Sequence, residues 1–138
     1  MIRCENKGKI RSKIALNIAK DLSYHKADDV VVYDVKNKTP FYSYLIICSA
    51  DNVRKVNALK ESAVDSLYLY HKDVKNVEGK HGNNWIVVDG RDIVIHIIEA
   101  KEREKLRIDE LYNDCACLLV NDETVVPEVV RKLKSIED

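Results

Sequence analysis

The run YSYLIICS over residues 42–49 is nearly continuous in apolar side chains, and it constrains the fold more than any other stretch of the chain. A half-exposed strand alternates apolar and polar residues; one that hardly alternates belongs in the middle of a covered sheet. The flanking segments supply the rest of such a layer. DDVVVYDV, rich in β-branched residues, predicts a strand over about 29–35, and KNKTP is a polar turn marked by its proline. Ile14, Ile18, Ala19 and Leu22 recur at helical spacing and predict a helix over about 11–24, capped by Ser12 or the residue before it. SADN starts a second helix, with Ser49 or Asp51 able to cap it, and Val53, Val56, Leu59, Ala63, Leu67 and Tyr70 line its inner stripe to about residue 71.

KDVKNVEGKHGNN reads as a polar loop. WIVVD and DIVIHII read as two strands joined by the short turn Gly90-Arg91. EAKEREKLRIDELY reads as a charged helix, CACLLV as a short last strand, and DETVVPEVVRKLKSIED as a closing helix from about Val126, with Pro127 in its first turn. The expected class is α/β, a single mixed sheet with helices packed on it, in one domain over 1–138.

Charge narrows the function. Lys plus Arg and Asp plus Glu both number 23, so the formal net charge is zero, which argues against a dedicated binder of bare nucleic acid. It leaves room for a protein partner that itself sits on RNA, and it does nothing to oppose self-association. What basic bias exists lies in residues 1–26, with seven cations against two acids. The basic, polar start of the chain has no apolar core of a signal peptide, and no stretch is long enough to span a membrane; a cytoplasmic location is expected. The four cysteines, Cys4, Cys48, Cys115 and Cys117, form no C-x-x-C pattern and have no histidine at zinc-site spacing, so they are expected to be reduced and to act as small hydrophobes.

Enzymatic signatures are missing. No phosphate-cradling glycine motif, nucleophile elbow or zinc-helix motif occurs, and only four glycines are present. Asp28, Asp29, Asp34, Asp89 and Asp92 lie at strand ends, but none forms the D-x-D spacing that would set two carboxylates on one sheet face. Asp89 and Asp92 bracket a turn, a place Asp favours. His96 interrupts an apolar strand and shares a face with Val94 and Ile98, as a hydrogen-bonded structural histidine would. Trp85, the single tryptophan, is either core or a half-exposed anchor for a partner. No metal site and no cofactor is expected.

Taken in order, these strings resemble the ribosomal silencing factor (RsfS, Iojap-like) family. Glu78-Gly79, Trp85 seven residues after the glutamate, the strand, Asp89 through Asp92, three apolar residues and His96, then Arg103 and the IDELY ending follow that family's pattern. Upstream, DVVVYDV and YSYLIICSADNVRKVNALKESAV resemble its first strands and second helix. The likeness covers about residues 12–113, with 114–138 as a β-α extension. Departures are Arg91 in place of the family's glycine, Ala50 in place of a second glycine, Leu106 where relatives carry an aromatic, and Tyr112 in place of tryptophan.

The resemblance implies a nucleotidyltransferase-like sheet without that enzyme's catalytic motif, and a binding function without catalysis. Family members dock on the large ribosomal subunit through large-subunit ribosomal protein fourteen, with rRNA at most peripheral, and block the small subunit from joining. Organellar relatives assist large-subunit assembly, and homodimers form off the ribosome. Implied contact residues are Trp85, Asp89, Asp92 and Leu106.

Overall fold

The computed structural model describes Cys4, residues 8–80 and residues 84–120. One mixed sheet of six strands organises them: β1 (Asp28–Asp34), β2 (Tyr44–Ala50), β3 (Asn76–Lys80), β4 (Trp85–Asp89), β5 (Ile93–Glu99) and β6 (Cys117–Val120), in the order β3-β4-β5-β2-β1-β6. β2 and β5 run parallel and every other neighbour is antiparallel. All seven residues of β2 are buried, as its lack of alternation requires.

The sheet's first face carries Ile46, Cys48, Ile86, Val88, Ile93, Ile95 and Ile97 under two helices, α1 (Lys13–Tyr24) and α2 (Val53–Leu69). Ser12 caps α1 by accepting from the Ala15 amide at 3.1 Å. The cap of α2 is Asn52, whose side chain accepts from the Lys55 amide at 2.8 Å; the sequence pointed to Ser49 or Asp51. Both are engaged elsewhere, Asp51 accepting from the Asn52 amide group and Ser49, buried, from Arg103.

The second face carries Val31, Tyr33, Leu45, Ile47, Val94 and Ile98, and the described residues cover only part of it. Its cover is α3 (Ala100–Leu106) followed by a 3-10 turn at Ile108–Tyr112. The sequence reads as one helix here, but Arg107 between the two takes a left-handed conformation, φ 53°. No glycine or proline announces this break; a buried ion pair accompanies it. Arg103, 4% exposed, grips Asp109 with Nε and Nη2 at 2.8 and 2.9 Å. Its Nη1 donates to the Asp29 carbonyl and the Ser49 hydroxyl at 2.7 and 3.0 Å, and the Tyr33 hydroxyl donates to Asp109 at 2.6 Å. One guanidinium thus ties the 3-10 turn to β1 and β2. Burial alone would raise the Asp109 carboxyl, but the Arg103 fork and charge and the Tyr33 hydroxyl hold it below its ordinary value.

Two further corrections concern the polar loop and the cysteines. Residues 76–80 form β3, an edge strand whose described side chains are exposed, so no apolar alternation marked it. Cys4 and Cys117, 113 residues apart, are joined in a disulfide with Cα atoms 6.0 Å apart. Cys48 and Cys115 are buried free thiols, and burial pushes the Cys48 thiol up to about 12. The bond fastens Cys4 to β6: Cys4 packs against the second-face cluster, while Ile10 is buried among first-face residues. Gly8, at φ +73°, lies so close to Ala116 that an added Cβ would come 2.7 Å from that side chain.

The backbone of the β4–β5 turn favours glycine at the position where this chain departs from the family pattern. Arg91, standing where the family's glycine does, has φ 72°, a left-handed conformation that costs a side-chain-bearing residue roughly 1–2 kcal/mol. Glycine would remove that strain at roughly 0.5–1 kcal/mol of unfolded-state entropy. Arg91→Gly is therefore expected to stabilise by about 0.5–1 kcal/mol, read as a thermal midpoint about 2–5 °C higher. The closing helix expected from Val126 and the loop histidine His81 lie outside the described residues.

Candidate functional site

The register places the uncovered part of the second face. Val87 lies opposite His96 and Asp89 opposite Val94 across β4 and β5, and Glu78 of β3 lies beside Val87. The 3-10 turn covers the β1–β2 side, where Tyr112 stacks on Tyr33 with ring centroids 5.4 Å apart. The β3–β4–β5 side is left as an open concavity of about 780 Å³, lined by Glu78, Val87, Asp89, Val94 and His96 from the sheet and by Asp92 and Arg91 from the turn. Phe41, 84% exposed, and Tyr42 form its aromatic rim, and Lys75 also lines it. Burial and the neighbouring Tyr42 hydroxyl push the Tyr112 phenol up to about 12, so the covering turn and the rim are linked.

Asp89 and Asp92 come together here, each with a local bond that fixes its carboxylate. Asp89 accepts from the Arg91 amide at 2.8 Å, and Asp92 accepts from the Ser43 hydroxyl at 2.8 Å. The Asp92 carbonyl also accepts from the Ser43 and Tyr44 amides, so the hairpin is tied to the start of β2. Trp85 stands at the other end of β4, opposite Ile98, four residues from Asp89. It is half-buried, and its indole N–H donates to His96 Nδ1 at 3.0 Å. Through His96, Trp85 borders the concavity without lining it. Leu106 does not line it; it sits, 38% exposed, at the end of α3.

Phe41, Tyr42 and Val87 line the concavity without having stood out in the sequence, where Glu78 was marked only as part of the family pattern. The signal available for the first two was FYSY directly after Pro40, aromatic residues in a turn with no strand partner to bury them. Chemically the surface offers two valines, two aromatic side chains, a histidine, three acids and two cations. Among the described residues no group of three or more His, Cys, Asp or Glu side chains could hold a metal ion, and no helix is long and apolar enough to cross a membrane.

The fold and this open, mixed-charge face define the class: an α/β protein whose described residues cover one sheet face fully and the other in part. The chain belongs to the ribosomal silencing factor RsfS family: residues 9–137 match the family described as "Ribosomal silencing factor during starvation". It is similar to ribosomal silencing factor RsfS of Haemophilus influenzae, 29% identical over 87 residues, 63% of this chain and 85% of that protein. RsfS of Chromobacterium violaceum is 28% identical over 101 residues, 73% of this chain and 80% of that one. A crystal structure of a Chromobacterium violaceum protein superposes with a TM-score of 0.69 at 23% identity, covering 86% of this chain and 96% of the other, which shows the fold. A mouse protein named mitochondrial assembly of ribosomal large subunit protein 1 is 26% identical over 98 residues, 66% of this chain and 41% of its own.

Proposed function

We propose that this protein silences ribosomes by occupation: it docks on the large ribosomal subunit through large-subunit ribosomal protein fourteen and keeps the small subunit from joining, lowering translation when nutrients are scarce. Family membership carries the reading. The uncovered half of the second face is the surface assigned to docking. Trp85 brings the large apolar area at one end, Asp89 and Asp92 offer carboxylates to partner cations at the other, and exposed Leu106 extends the contact along α3. Blocking a surface needs affinity and bulk and no bond-making step, so the protein acts without catalysis and without a cofactor. Zero net charge suits a main contact with protein, leaving rRNA at the periphery. The site of action is the cytoplasm, with no membrane involved, and off the ribosome the same face pairs two copies.

A second reading, assistance in large-subunit assembly, is favoured by the name of the mouse relative. Titrating the protein into purified subunits separates the two. Co-sedimentation with large subunits together with a dose-dependent loss of joined ribosomes is the expected result. Binding that leaves joining intact would favour assembly, and absence of binding would overturn both.

A further inference from the structure

The seven cations and two acids of residues 1–26 leave a surplus of five, so the remaining residues carry a deficit of five in a chain that is neutral as a whole. The structure shows how part of that surplus is presented. Between Gly8 and the first residue of α1 the chain alternates: Lys9 exposed, Ile10 buried, Arg11 exposed, Ser12 engaged as the α1 cap, Lys13 exposed. Burying Ile10 and seating the Ser12 cap leaves the three cations outward, two residues apart. Lys20, seven residues beyond Lys13, continues the row along the same side of α1.

Nothing described neutralises this row. Lys9, Arg11, Lys13 and Lys20 take part in no ion pair among the described residues, and the first turn of α1 holds no acidic residue. Asp21, the next acid on α1, sits two turns beyond Lys13 and is drawn toward Ser66 and His25. The lead-in is also anchored, by Ile10 in the core, Gly8 against Ala116 and the Cys4–Cys117 bond. The cations are thus set on a fixed track and need little ordering on binding.

We infer that this anchored row is a second contact surface, which binds the phosphate backbone of RNA. An RNA backbone presents evenly repeated negative charges with no demand for base-specific groups, which is what a row of bare cations can meet. An anionic lipid surface is the poorer match: Ile10 is the single apolar residue among 8–13, and it is turned into the core with no wedge beside the cations. The inference rests on the ribosome-docking reading, since it makes the row a phosphate contact beside the protein-to-protein one.

The test is the salt dependence of binding to purified large ribosomal subunits between 50 and 200 mM KCl. Each phosphate contact contributes a slope of about 0.7–0.9 in the plot of log affinity against log salt. The triple variant Lys9→Gln, Arg11→Gln, Lys13→Gln is expected to fold with an unchanged thermal midpoint and to bind with a slope shallower by about 2–3. Lys9→Arg with Lys13→Arg is expected to keep the wild-type slope. An unchanged slope in the triple variant overturns this inference alone; no binding by the wild-type chain overturns it along with the docking reading. Flotation with phosphatidylserine-rich vesicles that is lost in the triple variant, while the subunit slope is unchanged, would overturn it in favour of lipid.

Discussion

Arg103→Met is expected to destabilise the fold by about 3–5 kcal/mol, more than any other single substitution considered for the sheet's second face. The size follows from what remains behind. Asp109 would keep its carboxylate in a half-buried place without the guanidinium, left with the Tyr33 hydroxyl and a backbone amide, and the Asp29 carbonyl and Ser49 hydroxyl would lose this donor. Arg103→Lys keeps a charge but cannot present the two-pronged fork, so it should fall between. Adding Asp109→Asn to Arg103→Met should recover part of the loss, because the uncompensated charge is then gone. The pH dependence has a definite sign. A carboxyl held below its ordinary value stabilises the fold above about pH 4 and loses that contribution as pH falls through its lowered value. Chemical denaturation of wild type and Asp109→Asn at pH 7 and in acid checks this: a gap between them that does not shrink in acid would contradict the assignment.

Trp85→Ala is expected to weaken binding to large subunits by ~2–4 kcal/mol, roughly 30- to 800-fold in affinity. A fully buried tryptophan would cost ~3–5 kcal/mol of stability on truncation. Trp85 is half-buried, so about 1–2 kcal/mol is expected instead, and the fold survives the change. Trp85→Phe separates two contributions, keeping a ring over the sheet while removing the donor to His96. Leu106→Tyr, which restores the aromatic of the family pattern, should hold or strengthen binding. A folded Trp85→Ala protein that binds and blocks joining like wild type would remove Trp85 from the docking surface.

The parts of the fold legible in the sequence were those in which side-chain pattern and burial coincide. β2 lacks alternation because it is central, and α1 and α2 show helical stripes because each covers one face. β3 escaped because an exposed edge strand has no apolar face to betray it. The stop in α3 escaped because it is associated with a tertiary ion pair, and Arg107 carries none of the residue chemistry that marks a left-handed position. The disulfide joins the two ends of the described chain, and no local spacing encodes such a meeting. On the proposed docking face Trp85 and the two aspartates stood out by residue type. The concavity between them, with Phe41 and Tyr42 on its rim, exists only once β3, β4 and β5 lie side by side.

The position of β6 has a consequence for how the chain is made. β1 emerges from a translating ribosome early, yet one of its two neighbours, β6, is synthesised more than 80 residues later and is the last strand among the described residues. Until then the β1–β2 hairpin has an open flank, and β5, the parallel partner of β2, is also still to come. A nascent chain stalled or cut before Cys117 would expose a row of unpaired backbone groups along Val30–Tyr33, all apolar or aromatic, to any other extended segment nearby. Termination before Cys117 is therefore expected to give insoluble product, because residues 117–120 close that flank of β1.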